Sequence, residues 1–215
     1  MSRMIFVVFC AICSLMVIPS LAAPAYANQA QVQASIGIVL DVSNSMRPKR
    51  EAAVKAIKQL LEQSNQQDEF FIVDFNEAVR LDQDFTADRQ RLNAVLEWPN
   101  TGGGTALYDA INFALDHMSK HETSSPRAIV IISDGGDNQS HIRREDVLKH
   151  WRTLPEIKMF SVGFFEPGDD TAAAEFMRKL AKETGGQAIF AYKKKMIDQQ
   201  LSEFVSQIAN EISTR

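Results

Sequence analysis

Short apolar runs that end in an acidic residue constrain this chain most. Residues 35–41 (Ser-Ile-Gly-Ile-Val-Leu-Asp) and 127–133 (Arg-Ala-Ile-Val-Ile-Ile-Ser, followed by Asp134) are nearly continuous in apolar character. That is the pattern of a strand covered on both faces, as in a parallel sheet flanked by helices. After Pro48, Ala52, Ala53, Ala56, Ile57, Leu60 and Leu61 recur at helical spacing. Strands are expected again at 70–75, 158–163 and 187–191, with a short antiparallel edge segment at 78–81 after the turn at Asn76-Glu77. Helices are expected at 88–97, stopped before Pro99, at 105–120, opened by Gly102-Gly103-Gly104, at 143–151, and at 171–182, closed by Gly185-Gly186. A last amphipathic helix carries Ile197, Leu201, Phe204, Val205, Ile208 and Ile212 on its inward stripe. The alternation predicts a doubly wound, mainly parallel six-stranded sheet with one short antiparallel edge strand and helices on both faces, in one domain over residues 34–213.

The N-terminus is a different kind of segment. Arg3 precedes an uncharged apolar run of 15 residues (4–18), Pro19 breaks it and small residues follow. This is the pattern of a secretory signal peptide over residues 1–27, and the run is shorter than the ~20 residues a membrane helix needs. Ala25-Tyr26-Ala27 suits cleavage after Ala27, with Ala23 as a second candidate, and a polar leader occupies 28–33. Both cysteines, Cys10 and Cys13, lie within the signal. The secreted or periplasmic protein therefore relies on its core and not on disulfides, and structural zinc sites of the cysteine type are excluded. Loss of Arg3 moves the formal charge from -4 to -5, which argues against a nucleic-acid partner. The basic run Lys193-Lys194-Lys195 reads as a solvated loop before a helix.

Three polar clusters fall where a doubly wound sheet binds ligands, at strand carboxyl ends or a helix start: Asp41-x-Ser43-x-Ser45, Gly104-Thr105 and Asp134-Gly135-Gly136-Asp137. Two carboxylates and three hydroxyls make an oxygen-only set, suited to a hard divalent cation such as Mg²⁺, Mn²⁺ or Ca²⁺. Ser43 and Ser45, two apart in an extended loop, point the same way, while Val42 and Asn44 point elsewhere. The glycines before Thr105 remove side chains that would obstruct the ion. The competing reading is that these Asp, Ser and Thr residues only cap helices.

In this order and on these elements, Asp41-Val42-Ser43-Asn44-Ser45, Gly103-Gly104-Thr105 and Ser133-Asp134-Gly135 resemble the von Willebrand factor type A domain. The resemblance covers nearly the whole chain after the leader. It implies a metal-ion-dependent adhesion site formed by Asp41, Ser43, Ser45, Thr105 and Asp134, with the hydroxyls reaching the metal and the two aspartates acting directly or through water. It also implies partner capture, in which an acidic side chain of a partner protein fills the vacant metal position. The segments 103–111 and 133–138 look most like bacterial secreted or envelope members. Asn44 stands where the family usually has glycine, outside the ligand set but on its rim.

Asn44, Arg47, Gly104, Tyr108 and Asp137 are the expected rim residues, although Asp137 and Asn138 beside glycine also suit a turn, and Tyr108 also suits packing. His117 and His121, four apart on one helix, lack the third ligand of a zinc site and are expected to be solvated. The triple glycine is not followed by Lys-Ser/Thr, so it is no phosphate loop, and no Gly-x-Ser-x-Gly makes Ser43 or Ser45 a hydrolase nucleophile. The favoured reading is a non-catalytic, metal-dependent protein-binding module. The alternatives are a metal-dependent hydrolase using Asp41 and Asp134 to hold the ion with Asp137 as base, or a structural envelope component.

Overall fold

The computed structural model of the chain describes residues 33–97, 101–121, 126–165, 171–190 and 194–213. The signal peptide assigned to residues 1–27 and all of the leader but Gln33 lie outside them.

The elements follow in the order β1 (Ser35–Asp41), a 3-10 turn (Asn44–Lys49), α1 (Arg50–Gln63), β2 (Glu69–Phe75), β3 (Val79–Thr86), α2 (Arg89–Leu96) and α3 (Leu107–Lys120). Then come β4 (Arg127–Ser133), α4 (Arg144–Trp151), β5 (Ile157–Gly163), α5 (Thr171–Glu183), β6 (Ala188–Phe190) and α6 (Lys194–Ser213). The six strands form one sheet in the order β3-β2-β1-β4-β5-β6, with β3 antiparallel to β2 and every other pairing parallel.

Strand alternation sends side chains to two cores. Ile36, Ile38 and Leu40 of β1 pack with Ile57 and Leu60 of α1, Leu92 of α2, and Phe204 and Ile208 of α6. Val39 on the opposite face joins Ile111 and Leu115 of α3, Val147 and Trp151 of α4, and Met177 and Leu180 of α5. Each such side chain, fully withdrawn from water, contributes roughly 1.5–3 kcal/mol. The indole N–H of Trp151 donates to the Ile157 carbonyl at 2.8 Å, so its polar end is satisfied inside the core. The inward stripe of α6 is observed at Phe204, Val205, Ile208 and Ile212, while Ile197 and Leu201 lie outside the described side chains. Among the described residues no helix is long and apolar enough to cross a membrane.

Two expectations are corrected. The edge strand runs over eight residues, well beyond the predicted 78–81. Charged Arg80, Asp82 and Asp84 hide its alternation in the sequence, yet charge is what an unprotected sheet edge tolerates, since it deters pairing with another chain. His117 and His121 are not simply solvated. Both rings stack on Phe85 of this strand, with centroids 5.2 and 3.8 Å away, and their Nε2 atoms meet Asp84 at 2.9 Å and Glu69 at 2.5 Å. The apolar ring on the edge strand needs cover, and the histidines of α3 supply it.

The same edge carries a pH dependence. Buried Asp74 accepts from Arg80 at 2.6 Å through Oδ2, its Oδ1 meets no donor among the described residues, and its carboxyl interacts with that of Asp82. Desolvation, then the hydrogen bond to Asp74 and the charge of Asp74, push the Asp82 carboxyl up. Much of Asp82 remains exposed, so water absorbs part of this effect, and the direction is what matters. A raised carboxyl favours the protonated folded state. Its stabilisation is complete below the ordinary aspartate range and is lost as pH rises towards neutrality. Asp82→Asn, which supplies a permanent N–H donor, should therefore flatten the fall in Tm between about pH 4 and pH 7, leaving the slope due to Asp41. Thermal melts with the wild-type slope in the variant would contradict this.

Candidate metal centre

The chain leaves β1 for β2 on one side and reaches β4 on the other, so the carboxyl ends of β1 and β4 flank the point where strand order reverses. Among the described residues no crossover covers the sheet there, and side chains at those two ends converge. Asp41 closes β1 and is 2% exposed, and Asp134 follows β4 directly.

Backbone contacts bring the loops together. The Val42 amide donates to the Phe75 carbonyl at 2.8 Å, the Gly102 amide to the Val42 carbonyl at 2.8 Å, and the Asn44 amide to the Gly103 carbonyl at 3.3 Å. The glycine loop is thus tied to the serine loop. Gly103 has φ +77°, a conformation open to glycine, and a Cβ there would come 2.6 Å from the Glu77 carboxylate. Gly135 has φ +85° and its amide donates to Ser133 Oγ at 2.9 Å, a turn that aims Asp134 into the crevice.

The side chains, with the Ser43 amide, form one connected hydrogen-bonded path. Ser133 Oγ donates to Asp41 Oδ2 at 2.6 Å, and Asp41 Oδ1 accepts the Ser43 amide at 2.9 Å. Ser43 Oγ lies 3.1 Å from Ser45 Oγ, which donates to Asp134 Oδ1 at 3.0 Å. The Lys49 ammonium donates to Asp134 Oδ2 at 3.0 Å. Ser43 stands at the N-cap of the 3-10 turn but makes no side-chain capping bond, so its hydroxyl is spent on the site and not on the turn. Burial pushes the Asp41 carboxyl up to about 6, against the hydrogen bonds from Ser133 and Ser43 and with the help of the Asp134 charge. Two carboxylates held this close call for a cation, and the one that meets Asp134 here is Lys49.

Thr105 is buried and lies in the loop before α3, which begins at Leu107 and not at Thr105 as expected. Its amide donates to Asn138 Oδ1 at 2.9 Å, and its carbonyl accepts the amides of Asn138 and Gln139 at 2.9 and 3.1 Å. The loop after β4 therefore fixes the threonine beside the crevice.

The expected rim residues divide. Asn44 and Arg47 are exposed on the serine loop. Gly104 lies against Asn138 and Gln139, where a Cβ would come within 2.7 and 2.5 Å of their side chains. The Tyr108 ring packs edge-on against Phe176, centroids 5.2 Å apart. The Asp137 carboxylate accepts the Tyr108 amide at 3.3 Å and the Ser140 hydroxyl at 2.5 Å, which caps the start of α3. Ser133 and Lys49 belong to the site and are not among the expected ligands or rim residues, whereas Asn138, weighed between rim and turn, supports Thr105. The signal for Lys49 was its place four residues after Ser45, and for Ser133 its place beside Asp134 on the strand next to β1.

Among the described residues no three His, Cys, Asp or Glu side chains gather as a metal site. The set at the crevice is instead two carboxylates with hydroxyls, a hard, oxygen-only donor set in which an ammonium already stands as counter-cation. These residues fit a divalent ion of the magnesium or calcium kind.

Comparison with known proteins agrees with the fold. Residues 36–136 match the family model of the von Willebrand factor type A domain. The human inter-alpha-trypsin inhibitor heavy chain H2 is 25% identical over 199 residues, covering 85% of this chain and 20% of that protein. An uncharacterized protein of Borreliella burgdorferi is 26% identical over 203 residues, covering 88% of this chain and 58% of its own. The chain thus spans only a fraction of the length of these relatives. Two solved structures share the fold. The von Willebrand factor type A protein from Catenulispora acidiphila has a TM-score of 0.67 at 18% identity, over 84% of this chain and 43% of that one. BatB from Bacteroides thetaiotaomicron has a TM-score of 0.64 at 21% identity, over 82% and 99%. Over residues 36–136 the chain is thus similar to the von Willebrand factor type A domain, and it shares the fold of these two structures.

Proposed function

We propose that the domain is a non-catalytic, divalent-metal-dependent protein-binding module of a secreted or periplasmic bacterial protein. The observation that carries this reading is the path Asp41–Ser43–Ser45–Asp134 at the strand-order reversal, in which Asp41 accepts the Ser43 amide, the Ser43 hydroxyl meets that of Ser45, and Ser45 donates to Asp134. Ser43, Ser45 and Thr105 would hold the ion through their hydroxyls, with Asp41 and Asp134 binding directly or through water. Mg²⁺ is the preferred ion, with Mn²⁺ and Ca²⁺ as alternatives of the same chemistry. A bound ion supplies a Lewis-acidic position that an oxygen of a partner, above all a carboxylate, completes. Ser133 holds Asp41 in place, and Asn138 holds Thr105.

Binding is favoured over hydrolysis by the state of Asp137. Asp137, the carboxylate that the hydrolase reading casts as base, is engaged by the Tyr108 amide and the Ser140 hydroxyl, where it organises α3. The apolar run of residues 4–18 supports export.

Affinity capture from the envelope fraction of the native cell tests this function. The wild-type chain should retain a partner in Mg²⁺ and lose it in chelator, and Ser43→Ala should retain none in either. Capture of the same partners by both proteins regardless of metal would overturn the reading in favour of a structural assembly role.

A further inference from the structure

Lys49 is the last residue of the 3-10 turn that begins at Asn44, so the segment carrying Ser45 also carries its own cation. Pro48 precedes it and fixes φ along the short path from Ser45 to Lys49. The ammonium reaches back to Asp134 across a sequence separation of 85 residues, with the lysine side chain 20% exposed and the aspartate side chain 7%. Both Asp134 oxygens are then taken, Oδ1 by the Ser45 hydroxyl and Oδ2 by Lys49.

From this we infer, on the strength of the metal-dependent reading above, that Lys49 is a tethered counter-cation that competes with the divalent ion for Asp134 and sets the ion concentration at which the site loads. Three physical points support it. A cation held on the same short segment has a high effective concentration at Asp134, so it competes even against free ions in excess. A dication and an ammonium cannot share this carboxylate closely without repulsion, because the pair is largely withdrawn from water and weakly screened. Lys49 already neutralises Asp134, one of the two carboxylates of the site, so an incoming dication meets a carboxylate that has a counter-charge of its own. Loading is therefore an exchange of one cation for another and not the filling of a bare acidic hole.

Calorimetric titration of the wild-type chain, Lys49→Met and Lys49→Gln with Mg²⁺ and with Mn²⁺ tests the exchange, with circular dichroism as the folding control. Either neutral variant should bind the ions about tenfold more tightly than wild type. Its metal-free form should melt at lower temperature, so that the gap between chelated and loaded melting points widens. In the wild type, the ¹³Cε resonance of Lys49 should shift as Mg²⁺ is added, reporting release of the ammonium. Tight binding by the variants where the wild type binds weakly or not at all supports the inference. Wild-type binding with equal or weaker binding by the folded variants overturns the inference alone, leaving the metal site standing. Absence of binding in all three proteins overturns both the inference and the metal-dependent reading beneath it.

Discussion

Replacing Asp134 with asparagine should weaken divalent-ion binding about a hundredfold or more while leaving the fold native. The substitution keeps the size of the side chain and an oxygen that can accept the Ser45 hydroxyl at the place of Oδ1. It removes one of the two negative charges of the site. Because loss of a supporting group alone weakens a metal site by about 10–100-fold, loss of one of the two carboxylates of the ligand set belongs at or beyond the top of that range. The folded state gives up the Lys49 pair, whose lysine is partly solvated, so the stability change should stay at about 1 kcal/mol or less. Calorimetry and thermal melts on one preparation separate the two effects. An asparagine variant that binds Mg²⁺ as the wild type does would remove Asp134 from the proposed ligand set.

The second large effect is on stability and falls in the middle of β1. Gly37 lies under the ring of Phe71 on the neighbouring strand, and a Cβ there would come 2.2 Å from Phe71 Cζ. Phe71 is fully buried and its ring meets Phe85 and His117 edge-on, at centroid distances of 4.8 Å each, so it has little room to retreat. Gly37→Ala should destabilise the domain by about 1–3 kcal/mol through overpacking. The control is Gly136→Ala, where a Cβ meets nothing within 4 Å and the change should stay within about 0.5 kcal/mol. Denaturant midpoints for the two variants check this, and equal midpoints would contradict it. The glycine of β1 is thus a packing residue of the α3 face, two strands of which position the site.

How much of this was legible in the sequence depended on where the information resided. The central strands β1 and β4 are apolar on both faces, so composition along a short run was enough to place them, and their acidic ends marked the crevice. The edge strand β3 was seen only in its first part, because Asp82, Gln83 and Asp84 read as a loop until pairing with β2 supplies the missing context. His117 and His121 looked solvated because their cover for Phe85 comes from a residue more than thirty positions away in the chain. Asp41, Ser43, Ser45 and Asp134 were named from motif order, and the structure links them in one hydrogen-bonded path, with Thr105 held on the adjoining loop. Ser133, Lys49 and Asn138 act through contacts that exist only once the loops meet. Their places in the chain, Lys49 four residues after Ser45 and Ser133 beside Asp134, put them near the crevice but do not declare that a serine will donate to Asp41 or that a lysine will reach Asp134.

The most direct measurement of the central claim is a calorimetric titration of the wild-type chain with Mg²⁺ at neutral pH beside Ser43→Ala, whose lost hydroxyl lies 3.1 Å from that of Ser45 and makes no capping bond. A saturable one-to-one isotherm for the wild type, absent from a natively folded Ser43→Ala, is the predicted result. Superimposable isotherms for the two proteins would contradict it.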